Sequence, residues 1–98
     1  MKVTELLDSP EKWTKGAWAR DKEGVNVYSG RDPAVTQWCI YGALDYCYRE
    51  NVRLWSEAMD RLVAALFHLH NTKFIADWQD QPETTWEQVR TLLERADI

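Results

Sequence analysis

The stretch Asp32-Pro33-Ala34-Val35-Thr36-Gln37-Trp38-Cys39-Ile40-Tyr41-Gly42-Ala43-Leu44-Asp45-Tyr46-Cys47-Tyr48-Arg49 decides how this chain is read. Asp32 is a good N-cap, and Pro33 suits a first helical position because its missing N–H would have no intrahelical partner there. At about 100° per residue, Val35, Cys39, Gly42, Ala43, Tyr46 and Cys47 fall on one side, extended by Ile40 and Leu44. Trp38, Tyr41, Asp45 and Tyr48 fall on the other. The pattern predicts a helix over 33–49 that is apolar almost all round, and such a helix is normally the buried one against which others pack. Gly42-Ala43 would let a second helix approach closely. The stripe Trp38, Tyr41, Asp45, Tyr48 is the candidate binding face, for a ligand or a second subunit. Its plainer reading is a second packing face under the N-terminal segment, with its hydroxyls hydrogen-bonded.

On the C-terminal side, Asn51 can cap a long helix running to His70. Its stripe is Val52, Trp55, Ala58, Met59, Leu62, Val63, Leu66 and Leu69, with Glu57 four residues before Arg61 on the polar side. Phe74, Ile75 and Trp78 anchor a connecting segment to Pro82. Thr84 followed by Glu87 reads as a capping box for a last helix, Thr85 to about Ala96, with Trp86, Val89, Leu92 and Leu93 on its apolar face. On the N-terminal side, Val3, Leu6 and Leu7 suggest a short helix, and Ser9-Pro10 opens another that Gly16 stops. Residues 17–20 and 25–28 alternate around Asp21-Lys22-Glu23-Gly24, which predicts a β-hairpin near 17–28. The expected fold is mainly α with a minor β part: four to five helices around helix 33–49, in a single domain over 1–98.

Composition excludes more than it assigns. Hydrophobic residues at 45% and charged residues at 29% argue against disorder. Six tryptophans give a small core large apolar surfaces, or leave one or two at an interface. A net charge of −4 without a basic stripe argues against direct nucleic-acid binding. No apolar run is long enough for a membrane span, and the N-terminal residues lack a signal-peptide core. Cys39 and Cys47 lie eight apart, about 12 Å along a helix, too far for a disulfide. Free thiols suit a reducing cytoplasm.

No phosphate-binding glycine loop, CxxC, HExxH or GxSxG occurs. His68 and His70 are the weak candidates for a metal, but residues two apart on a helix point about 160° apart and cannot grip one ion. Asp77 and Asp80 could join them, and with Asp45 they are the weak catalytic candidates. No cofactor is expected.

Trp13-Thr14-Lys15-Gly16, Ala19-Arg20-Asp21 with Gly24, Trp38-Cys39 with Gly42-Ala43-Leu44, and Trp78-Gln79-Asp80 ahead of Thr84–Leu93 resemble an uncharacterised family of small bacterial and phage proteins. Its patterns are W-x-x-G, C-x-x-G-A-L, and W-N-D followed by T-x-x-E-V. The resemblance spans about Leu6 to Ala96 and implies a bacterial or phage cytoplasmic protein without an assigned activity. The chain departs from it at Gln79, where the family usually has Asn, and at Glu83, where a basic residue often stands. The functional expectation is a non-enzymatic protein-interaction module, self-associating or binding another protein. The alternative is a small-molecule or metal-dependent enzyme using Asp45 with Tyr41, or His68 and His70 with Asp77 and Asp80. A phage-encoded modulator of a host enzyme is a third possibility.

Overall fold

Two of the expected helices form as their caps dictate in the computed structural model, which describes residues 1–98. Asn51 accepts the Leu54 N–H at 3.1 Å and opens α3, Val52–His70. Asn71 ends it in the left-handed conformation at φ 56°, which asparagine tolerates. Thr85 opens α5, Trp86–Ala96, through a reciprocal box with Gln88. The box therefore sits one residue later than Thr84 and Glu87. Thr84 is buried and donates its hydroxyl to the Trp78 carbonyl at 2.6 Å instead.

The stretch 32–49 is two elements rather than one helix. Val35–Trp38 is a strand, β3, and the helix α2 covers only Ile40–Tyr48, with Cys39 as its N-cap. Asp32 still accepts a backbone N–H, that of Ala34, but in a turn. The β-branched and aromatic residues Val35, Thr36 and Trp38 suit a strand, and the edge of β1, Ala19–Asp21, was there to pair them. Tertiary pairing outweighed the N-cap and proline signal. Of α2, Ile40, Gly42, Ala43 and Leu44 are buried, while Tyr41 and Asp45 are partly exposed and Tyr46 is exposed.

The hairpin is present: β1, Ala19–Asp21, pairs antiparallel with β2, Asn26–Val27. Gly24 closes the turn at φ 82°, and Asp21 accepts the Glu23 and Val25 N–H groups. With β3 on the other side of β1, the sheet has the order β2-β1-β3. Helix α1, Val3–Leu6, a 3-10 turn at Pro10–Lys12, and α4, Ile75–Gln79, complete the chain. The N-terminal turn at 10–12 stops short of the expected Lys15.

The chain is thus mainly helical with a small antiparallel sheet. Its core is a cluster of 20 buried residues drawn from α1, the sheet and α2 to α5. The largest helix contact is α3 on α5, Ala58, Leu62, Ala65 and Leu66 meeting Val89, Leu92, Leu93 and Ala96. On α3 the buried stripe begins at Ala58, so Val52 and Trp55 overhang it and stay exposed. Arg53, not Arg61, pairs with Glu57. No helix is long and apolar enough to cross a membrane.

Candidate functional site

Three places bring chemistry-bearing residues together. The first is a buried polar junction. Gln79 is 2% exposed, and its Oε1 accepts the Ile40 N–H at 2.7 Å and the Trp13 indole N–H at 3.3 Å. Its amide nitrogen donates to Asp80, which also accepts the Gly16 N–H at 3.0 Å. Lys15 donates its ammonium to the carbonyls of Gln81 and Thr84. The short motifs around Trp13, Cys39 and Trp78, far apart in sequence, therefore meet at one point. Asp80 ties down Gly16.

Cys39 lies at this junction, its sulfur accepting the Gly42 N–H at 3.3 Å. Burial pushes its thiol above the ordinary value, outweighing the neighbouring N–H groups. Burial also raises Cys47, to about 11. Both cysteines are free. Gly42 packs against the carbonyl of Trp18, and Gly30 packs over the carbonyl of Gly42. The close approach that Gly42 permits is by loop backbone, not by a second helix.

The second place is the outer side of α2, where the four stripe residues disperse: Trp38 and Asp45 both hold Gly30, and the two tyrosines go elsewhere. Trp38 belongs to β3; it donates its indole N–H to Gly30 at 2.8 Å and meets Tyr46 edge-on at 5.5 Å. Tyr41 stacks on Trp18 at 6.1 Å with planes 7° apart. Asp45 accepts the Gly30 N–H at 3.0 Å and faces Arg49. Tyr48 donates to the Ile98 carbonyl at 2.7 Å. Burial raises the Tyr41 and Tyr48 hydroxyls. Farther along, Asp45, Arg49, Val52 and Trp55 line a shallow hollow of about 180 Å³ at the α2–α3 corner. Sequence reasoning missed Trp18, Val52 and Trp55 on this surface, because it assigned Trp55 and Val52 to the buried stripe.

The third place is a cleft of about 500 Å³ between the end of α3, α4, the 81–84 loop and the start of α5. His70, Phe74, Asp77, Trp78 and Glu83 form its walls, and the His70 ring packs on Trp78 at 4.8 Å. His70 and Asp77 are thus brought to one cavity. His68 and Asp80 are not: His68 lines a shallow groove with Arg61 and Arg95, and Asp80 belongs to the Gln79 junction. No three His, Cys, Asp or Glu side chains are placed to hold a metal ion.

No curated protein and no solved structure matches the chain. A family model does, across residues 2–97. That span takes in the Gln79 junction, the α2 surface and the cleft alike. The chain belongs to DUF6197, a family of unknown function.

Proposed function

We propose that the chain is a non-enzymatic protein-interaction module, one domain working in the reducing cytoplasm, whose first partner is a second copy of itself. The observation that carries this reading is the exposed aromatic and aliphatic surface at the α2–α3 corner. Val52 is 75% exposed and Trp55 37%, with Leu54 also exposed beside them in the first turn of α3. Trp18, 40% exposed, stacks on Tyr41 toward the other end of α2. Large aromatics left in water on a small chain mark contact surfaces.

Charge favours a second copy over an unrelated partner. Asp45 pairs with Arg49, Glu50 with Arg31 and Glu57 with Arg53, so the corner is electrically balanced. The excess negative charge of the chain, −4 in all, lies elsewhere. Two acidic molecules meet with less repulsion through a balanced apolar face than through an acidic one. Val52 and Trp55 would form the contact centre, with the ion pairs as its rim and the Trp18–Tyr41 stack extending it along α2. Asp45 lines the hollow with Arg49, Val52 and Trp55, while Trp38 and Tyr48 turn to Gly30 and Ile98. A stable dimer would need roughly 800 Å² per partner, more than the apolar centre alone, so the rim must take part.

The test is sedimentation velocity across the micromolar range, on the native chain and on Val52→Asp/Trp55→Arg. The expected result is a dimer that the double variant turns into a monomer with unchanged far-UV circular dichroism. A native chain that stays monomeric throughout that range, or a variant that still dimerises, overturns the proposal.

A further inference from the structure

We infer that the cleft between α3, α4 and α5 is a binding site for an organic cation, an alkylammonium or guanidinium group on a chain of a few carbons. The cleft, at about 500 Å³, falls within the range of small-molecule sites. Its walls combine aromatic surface with unpaired negative charge. Trp78 is only 6% exposed, with the His70 ring packed against it, and Phe74, 70% exposed, supplies the open aromatic face. Asp77 and Glu83 face the same space, and neither takes part in any of the seven ion pairs of the chain.

No lysine or arginine lines the cleft. The two lysines nearest in sequence or contact are committed elsewhere. Lys73 lies over the Phe67 ring, and Lys15 bonds the carbonyls of Gln81 and Thr84. The Lys15 contacts also show that the carbonyls of this loop suit an ammonium group. An anionic ligand would meet two carboxylates, with no lysine or arginine lining the cleft to oppose them. A divalent metal lacks a converging ligand set. An organic cation satisfies both features at once: carboxylates for its charge, and the Phe74 face for its polarised C–H groups and positive head.

The charge can arrive on a free amine or on a lysine side chain of another protein. Titrating the ¹⁵N-labelled chain with spermidine, and separately with the peptide acetyl-Gly-Lys-Gly-amide, distinguishes the two sources. Triethylene glycol serves as the neutral control. The expected result is saturable shifts confined to residues 70–88 with one of the two cations and none with the glycol. The stronger of the two responses names the source. In Asp77→Asn/Glu83→Gln, whose changes are isosteric and on exposed residues, affinity should fall about tenfold or more, as expected when charge-assisted contacts become neutral. Shifts scattered over the whole acidic surface, equal binding of the glycol, or affinity unchanged in the double variant would each overturn the inference. So would the absence of any saturable shift with either cation.

Discussion

The Gln79 side-chain oxygen accepts the Ile40 N–H at 2.7 Å, so a residue of α4 completes the first turn of α2 from 39 positions away. Helix N-termini present N–H groups without intrahelical partners, and this one is buried. Cys39 satisfies one of them with its own sulfur and Gln79 satisfies another.

Replacing Gln79 by leucine keeps the volume but leaves the Ile40 N–H and the Trp13 indole without their acceptor. The expected loss is about 2 kcal/mol in urea denaturation, the usual cost of a buried donor left unpaired. Gln79→Asn is one methylene shorter and should lose part of that, unless α4 moves inward. A Gln79→Leu variant as stable as the native chain would remove Gln79 from the structural account.

Gly42→Ala places a methyl group against the Trp18 carbonyl, and Gly30→Ala places one against the Gly42 carbonyl. Backbone cannot yield as a flexible side chain does, so each change should cost about 1–3 kcal/mol. Because the two glycines touch, the double variant should lose less than the two losses added together. Thermal denaturation of the three variants checks both statements.

The register of the last capping box can be read from four alanine or valine variants. Thr85→Ala should cost about 1 kcal/mol, and Thr84→Val a similar amount through its lost bond to the Trp78 carbonyl. Gln88→Ala should cost a few tenths, while Glu87→Ala stays within about 0.5 kcal/mol of native. A larger loss at Glu87 than at Gln88 would contradict the observed register.

Stability should decline at both ends of the pH scale, for opposite reasons. Burial raises Cys47 to about 11 from 9.0, so the unfolded chain ionises first. The contribution is complete below pH 9 and lost as pH rises to about 11. Cys47→Ala should flatten that alkaline slope in denaturation midpoints taken at successive pH values. At the acid end, the Lys2 hydrogen bond holds Asp97 below 3.8, so its contribution is present above that pH and fades below it. Asp97 is exposed, and Lys2→Met should therefore change the acid limb only slightly.

Sequence periodicity located α3 and α5 because each has a cap and a repeating apolar face. The hairpin was legible from Asp21 and Gly24, whose roles are local. Residues 35–38 were not, because their strand state depends on β1, a partner that helical periodicity does not register. The same error created the stripe of Trp38, Tyr41, Asp45 and Tyr48, since Trp38 left the helix and the other three turned to Trp18, Gly30 and Ile98. His70 and Asp77 were singled out in sequence, but their meeting in one cleft depends on how α4 folds back across the end of α3. The corner of Val52 and Trp55 was hidden because an amphipathic pattern does not say where its helix runs past its neighbours.

Residues 13–16 sit between two halves of the molecule. Thr14 bonds the carbonyl of Trp38 on the sheet side, while Trp13, Lys15 and Gly16 are tied to Gln79, Gln81, Thr84 and Asp80 on the helical side. These ties span more than 60 positions, so their closure entropy is met once for the whole set rather than bond by bond. The sheet and the α4–α5 region therefore open together. The amides of the fully buried Ala19 in β1 and Val89 in α5 should exchange with solvent at a common rate set by unfolding of the entire chain.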